Sequence, residues 1–184
     1  MEALLNQSMA ERVLRYDLDT YHRLGESGFI PKNTELIYGV VVYKMTISPA
    51  HSRIVTKLGH ILNQLFLEGF VVRQEKPISI QNSEPEPDIS IVQGTYDDFG
   101  DKHPDTAALV IEVAYSSLED DLIKADIYAS GLIPVYWILD IQNKKTHVFQ
   151  DPENGKYNIH TIYEPSVPIQ IPHTKKEIRL SELM

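Results

Sequence analysis

The chain contains no cysteine, which excludes disulfides, thiolate metal centres, iron–sulfur clusters and cysteine nucleophiles, and makes a reducing, cytoplasmic setting the expected one. No stretch approaches the roughly 18–20 consecutive apolar residues of a membrane span, and residues 1–10 lack the basic start and apolar run of an export signal. Neither membrane insertion nor export is expected. No two histidines are spaced i, i+4 on one helix, so a histidine zinc site is not expected either. Basic charge is scarce: 17 lysines and arginines face 26 acids, a net charge of -9. Nonspecific binding of nucleic acid draws most of its free energy from cations that neutralise phosphates. Whole-chain electrostatics therefore oppose such a partner, unless Arg53, Lys57, Arg73 and Lys76 line one face or metal ions hold part of the acidity.

What is present has the make-up of a folded globular protein. With 184 residues, 42% hydrophobic and 23% charged, the chain fits a single domain over residues 1–184. A chain of this length buries about 70% of the surface it exposes when unfolded. Helix and strand signals alternate along it. Residues 17–27 open with Asp-Leu-Asp-Thr and stop at Gly28, which predicts a short helix. Residues 34–45 predict strand, with Gly39 allowing a bend or hairpin. Ser48 and Pro49 form a helix start, and Ile54, Leu58, Ile61, Leu62 and Leu65 recur on one face of a helix expected to end near Gly69.

Residues 70–80 alternate as a strand with Pro77 at an edge or distorted end, and 83–87 form a proline-rich acidic turn before a strand at 88–92. Residues 93–105 predict a loop. In the following strand Leu109, Ile111 and Val113 share one face, and Val110, Glu112 and Ala114 the other. The stretch from Ser116 to Glu119 fits a capping box for a helix reaching Ser130, with Asp120, Lys124 and Tyr128 in a polar stripe at four-residue spacing. Strands at 134–140, 146–150 and 156–162 follow, with a turn at 151–155 and a short terminal turn beyond. All of these elements can share one mixed sheet with helices against it.

The chemistry rests on acids in apolar strands. A carboxylate in such a run is expensive to bury unless a cation, a proton or a hydrogen-bond donor compensates it. Asp88 opens one strand, Glu112 interrupts another, and Glu35 starts a third. Hard oxygen ligands of this kind suit magnesium or manganese (Mg2+ or Mn2+), so Glu35, Asp88 and Glu112, with the carbonyl of Val113, form a candidate metal set. Lys124 is the one basic residue of the next helix and would bring positive charge beside the ion. The combination points to phosphodiester cleavage by a metal-activated water, with no covalent nucleophile.

Pro87-Asp88 ahead of one strand, Glu112 inside a second and a helix after it resemble the PD-(D/E)XK nuclease superfamily, with Glu35 matching its upstream acid. The superfamily's usual lysine stands two residues after the second acid, and here that position is Ala114. A closer resemblance, to the Uma-two family of restriction endonucleases, accounts for the difference, because there the lysine has moved to the following helix. The matching words are Glu35-Leu36-Ile37 with Gly39, Ser48-Pro49 with His51, Pro87-Asp88, Glu112-Val113, Asp120 through Lys124 to Tyr128-Ala129, Pro134, Tyr136-Trp137-Ile138 and Asp140, across residues 20–151. Tyr38 where an acid is frequent, Tyr115-Ser116 in place of Ser-Pro, and a shortened linker ahead of Asp120 depart from the pattern.

The resemblance implies an α/β, restriction-endonuclease-like fold, a mixed central sheet flanked by helices. It also implies Asp88, Glu112 and Lys124 as catalytic residues and Glu35, Asp88 and Glu112 as metal ligands. His51 and Tyr128 become candidate substrate contacts, DNA the expected substrate, and a homodimer the natural way to cut two strands. Blander readings stand beside these. Asp88 can be a turn residue, Glu112 and Lys124 a buried ion pair, Lys124 a solvated partner of Asp120, and Tyr128 and Tyr136 packing residues with satisfied hydroxyls. A noncatalytic interaction or nucleic-acid-binding module, or a phosphoesterase acting on something smaller, would use the same residues differently.

Overall fold

In the computed structural model, residues 12–66 and 68–184 are described. Helix α1 (Leu18–Glu26) starts where the Asp17 carboxylate accepts the Thr20 amide at 2.8 Å. Strands β1 (Thr34–Ile37) and β2 (Val40–Tyr43) form an antiparallel hairpin turned at Tyr38 and Gly39, both at positive φ. Gly39 is required there, because a Cβ would lie 2.9 Å from the Tyr16 carbonyl oxygen. Helix α2 (Pro49–Leu65) begins at Ser48, whose hydroxyl accepts the His51 amide at 3.2 Å. It ends short of Gly69, where Phe66 leaves helical geometry to bury its ring edge-on against Phe70.

The main sheet has six strands: β3 (Phe70–Gln74), β4 (Ile89–Gln93), β5 (Leu109–Ala114), β6 (Val135–Asp140), β7 (Lys145–Glu153) and β8 (Lys156–Tyr163), in that spatial order. Only β5 and β6 run parallel, and helix α3 (Leu118–Ser130) makes the crossover that a parallel pair needs. The β1–β2 hairpin is a separate sheet, as is the small pair β9 (Ile169–Gln170) and β10 (Glu177–Ile178), so the expectation of one shared sheet is corrected. Hydrogen bonds from the Glu84 amide to the Leu36 carbonyl, from the Gly39 amide to the Asn82 carbonyl and from the Tyr38 amide to the Ser83 hydroxyl link the hairpin to the segment before β4. The strand expected over 70–80 stops at Gln74, because Glu75 takes positive φ and Pro77 has no amide to donate.

Helices pack on both faces. Ile54, Val55, Leu58 and Leu62 of α2 meet Leu109, Ile111, Val113, Trp137 and Leu139, and the short C-terminal α4 (Leu180–Leu183) adds Leu180 and Leu183. On the other face Ala125, Ile127 and Tyr128 of α3 meet Val110, Ala114, Tyr136 and Ile138. The alternation read for residues 109–114 is the one observed. Among the described residues no helix is long and apolar enough to cross a membrane.

Two local expectations change. The box at Ser116 to Glu119 is replaced by a start at Ser117, whose hydroxyl donates to the Asp121 carboxylate at 2.8 Å and caps no backbone amide. The four basic residues do not line one face. Arg53 and Lys57 on α2 donate to the Met184 and Glu182 carbonyls, whereas Arg73 lies 5.5 Å from the Phe99 ring centroid, on the face away from α2.

On the α3 face, His147 and His160 share a hydrogen bond of 3.0 Å, and His160 stacks on Phe149 with centroids 4.0 Å apart. Burial pulls both imidazoles below their ordinary value, and their mutual repulsion adds to it for His147. The unfolded chain therefore takes up protons first. Their stabilisation is complete above about pH 6.5 and declines as pH falls through the unfolded value toward the lower folded ones. We expect His160→Gln to flatten the rise of unfolding free energy between about pH 5.5 and 7, measured by urea titration. An unchanged slope would rule the pair out as its source.

Candidate active site

The antiparallel register that sets Ile89 opposite Ile111 also brings Asp88, just ahead of β4, beside Glu112 in β5. Side chain and backbone lock the two together. The Asp88 amide donates to Glu112 Oε2 at 3.1 Å, and the Val113 amide donates to Asp88 Oδ2 at 2.6 Å. Glu112 lies on the face covered by α3. There its Oε1 accepts from Lys124 Nζ at 3.2 Å and from the Tyr128 hydroxyl at 3.0 Å. Glu35 comes from the separate hairpin: its Oε1 is 3.6 Å from Lys124 Nζ, and its Oε2 accepts the Glu86 amide at 3.1 Å. His51, in the first turn of α2, approaches from the other side of the sheet, with Nε2 3.0 Å from Asp88 Oδ2.

The structure therefore brings Glu35, Asp88, Glu112, Lys124 and His51 into one cluster. Tyr128 is completely buried and donates its hydroxyl to Glu112, the arrangement of the packing reading. One correction concerns the acid beside Lys124. Asp120 is exposed, whereas Asp121 is buried with its Oδ1 3.5 Å from Nζ. Sequence reasoning missed Asp121 although the i, i+3 spacing was readable, because the stripe was drawn at four-residue steps alone.

The electrostatics are one-sided. Four carboxylates face one lysine and one histidine. Burial pushes the Glu112 carboxyl well above the ordinary range; Lys124 opposes that, while Asp121, Asp88 and Glu35 reinforce it. Burial likewise raises Asp121 to about 6, against the pull of Lys124 and Ser117. Burial works against the Lys124 ammonium, yet Glu112, Glu35 and Asp121 outweigh it and hold the lysine charged. The hydrogen bond to Asp88 raises His51 against its own burial.

Among the described residues no three acidic or histidine side chains surround a common point in a way that would hold an ion. The donor chemistry nevertheless fits one. Glu35, Asp88 and Glu112 offer only hard oxygens, and their charge exceeds what Lys124 and His51 supply, the condition that a divalent cation relieves. The side chains of Asp88, His51, Lys124 and Glu35 are 14%, 13%, 12% and 11% exposed and that of Glu112 5%, so Glu112 lies deepest of the five.

Comparison with known proteins agrees with this architecture. No curated protein matches the chain. Among solved structures, one of a putative nuclease belonging to DUF820 from Anabaena variabilis superposes with a TM-score of 0.68. It is 15% identical in sequence, and the match covers 87% of this chain and 96% of that one. At that identity the likeness establishes the shared fold. A family model described as "Putative restriction endonuclease" matches residues 18–181, from the start of α1 into α4, and with that span the chain belongs to the Uma2 family.

Proposed function

We propose that this chain is a divalent-metal-dependent endonuclease that hydrolyses phosphodiester bonds in DNA. The observation that carries the proposal is the convergence on one lysine. Lys124, on the crossover helix, stands within 3.6 Å of Glu35 from the hairpin and 3.2 Å of Glu112 from the central strand, and Glu112 is itself locked to Asp88. Glu35, Asp88 and Glu112 would hold magnesium or manganese. When bound, such an ion polarises a phosphate oxygen and lowers the pKa of its water. Lys124 orients the attacking water and offsets the charge that develops on the phosphoryl oxygens. Val113 fixes the Asp88 carboxylate through its amide, and His51, bonded to the same carboxylate through Nε2, would have to turn from Asp88 to contact the substrate. Cutting both strands with one centre per chain takes two copies, so the proposal extends to a homodimer.

The test is manganese titration by calorimetry, followed by incubation with plasmid, single-stranded DNA and RNA. Binding heat together with plasmid cleavage only in the presence of metal is the expected result. Absence of both overturns the proposal.

A second reading, a noncatalytic interaction module on the same fold, is favoured by the Glu112–Lys124 pair and by the net charge of -9. It requires no metal-dependent heat.

A further inference from the structure

Of the three carboxylates around Lys124, two belong to the proposed metal set. Glu35 and Glu112 come from strands, and any ion they hold competes with Lys124 for the same oxygens. Asp121 differs in origin and in commitments. It sits on the lysine's own helix with Oδ1 3.5 Å from Nζ, so its contact travels with the lysine whatever happens at the strands. Its other oxygen accepts from the Ser117 hydroxyl at 2.8 Å, and its carbonyl oxygen accepts from the buried Tyr136 hydroxyl at 2.8 Å. The residue is only 4% exposed, so water and salt screen the contact far less than they would at exposed Asp120.

We propose that Asp121 is the positioning residue of Lys124, the one carboxylate that keeps the ammonium beside the phosphodiester when Glu35 and Glu112 turn to a metal. For its catalytic consequence this rests on the nuclease reading above. The lysine is braced by the acid three residues before it, and Asp120, four residues before it, is left at the surface.

The test uses the full chain with Asp121→Asn and Asp120→Asn. One readout is the rate at which an acylating reagent labels Lys124 without metal, followed by peptide mass spectrometry. The other is kcat, KM and manganese affinity in the cleavage assay. In Asp121→Asn we expect Lys124 to label about tenfold faster and kcat to fall roughly 10- to 100-fold, with KM and manganese affinity unchanged. Asp120→Asn should match the wild type in every readout. Equal behaviour of the two variants overturns the proposal, and so does weakened manganese binding in Asp121→Asn, which would make Asp121 a ligand. If the wild type cleaves nothing, the nuclease reading fails while labelling of Lys124 still decides the positioning claim. If Asp121→Asn does not fold, Ser117→Ala replaces it; faster labelling of Lys124 supports the proposal, and an unchanged rate overturns it.

Discussion

Glu112→Gln is expected to reduce metal-dependent cleavage by about 100-fold or more, and to lower stability as well. The substitution keeps the shape of the side chain but reverses one end of its hydrogen bonding. Lys124 Nζ, the Tyr128 hydroxyl and the Asp88 amide all donate to the Glu112 carboxylate. A glutamine must turn its NH2 toward at least one of these donors. A buried donor left unsatisfied costs about 1–3 kcal/mol, so the urea midpoint should fall by a corresponding amount while unfolding stays cooperative. Manganese heat should disappear with the negative charge. Cleavage within a few-fold of wild type would remove Glu112 from the machinery and take the metal assignment with it.

The largest change in stability is expected from Lys124→Met. Methionine fills much of the same space but leaves Glu35, Glu112 and Asp121 facing one another without a cation. Deleting one partner of a buried pair costs about 3–5 kcal/mol, because the charge left behind has lost its compensation. The loss should depend on pH, with a sign fixed by the direction of the shifts. Glu112 and Asp121 already titrate above their ordinary range, Asp121 at about 6. A carboxyl raised in the fold stabilises it while protonated, and that contribution is lost as pH rises through the folded value. The variant should therefore lie nearest to wild type at about pH 5 and furthest from it at about pH 8, as read by urea unfolding at each. Equal destabilisation at both would show that lost packing, rather than charge, is responsible.

These predictions concern residues whose placement was partly legible in the sequence. Glu112 stood out because period-two alternation put a carboxylate among Val110 and Ala114, and that face is indeed the one under α3. Asp88 and Glu112 group together in the sequence by ligand chemistry and by the family resemblance, and the strand register that makes them neighbours belongs to the tertiary fold. The lysine's partner was harder to read. Residues three and four before a lysine on a helix are both within its reach, so spacing alone does not choose between Asp121 and Asp120, and the Ser117 hydroxyl bonds Asp121 rather than capping a backbone amide. The depth of Tyr128 was not legible, because a motif match names a residue without saying how deep it lies. Residues 34–45 read as strand with a bend or hairpin allowed at Gly39, but alternation within a strand does not say which sheet it joins.

Segregation of that hairpin from the main sheet bears on how the centre comes together during folding. Glu112 and Lys124 are only twelve residues apart, so their contact closes as the crossover between β5 and β6 forms. Glu35 meets the Glu86 amide across fifty-one residues and belongs to a two-stranded unit of its own. Its inner strand β1 is buried and bonded to residues 82–86, whereas β2 is half-exposed, so local opening of this unit is expected to begin at β2, whose amides should exchange with solvent ahead of those in β5 and β6. Opening would withdraw one carboxylate while the lysine and the central pair stay in place, so the centre can switch between complete and incomplete without the rest of the molecule coming apart.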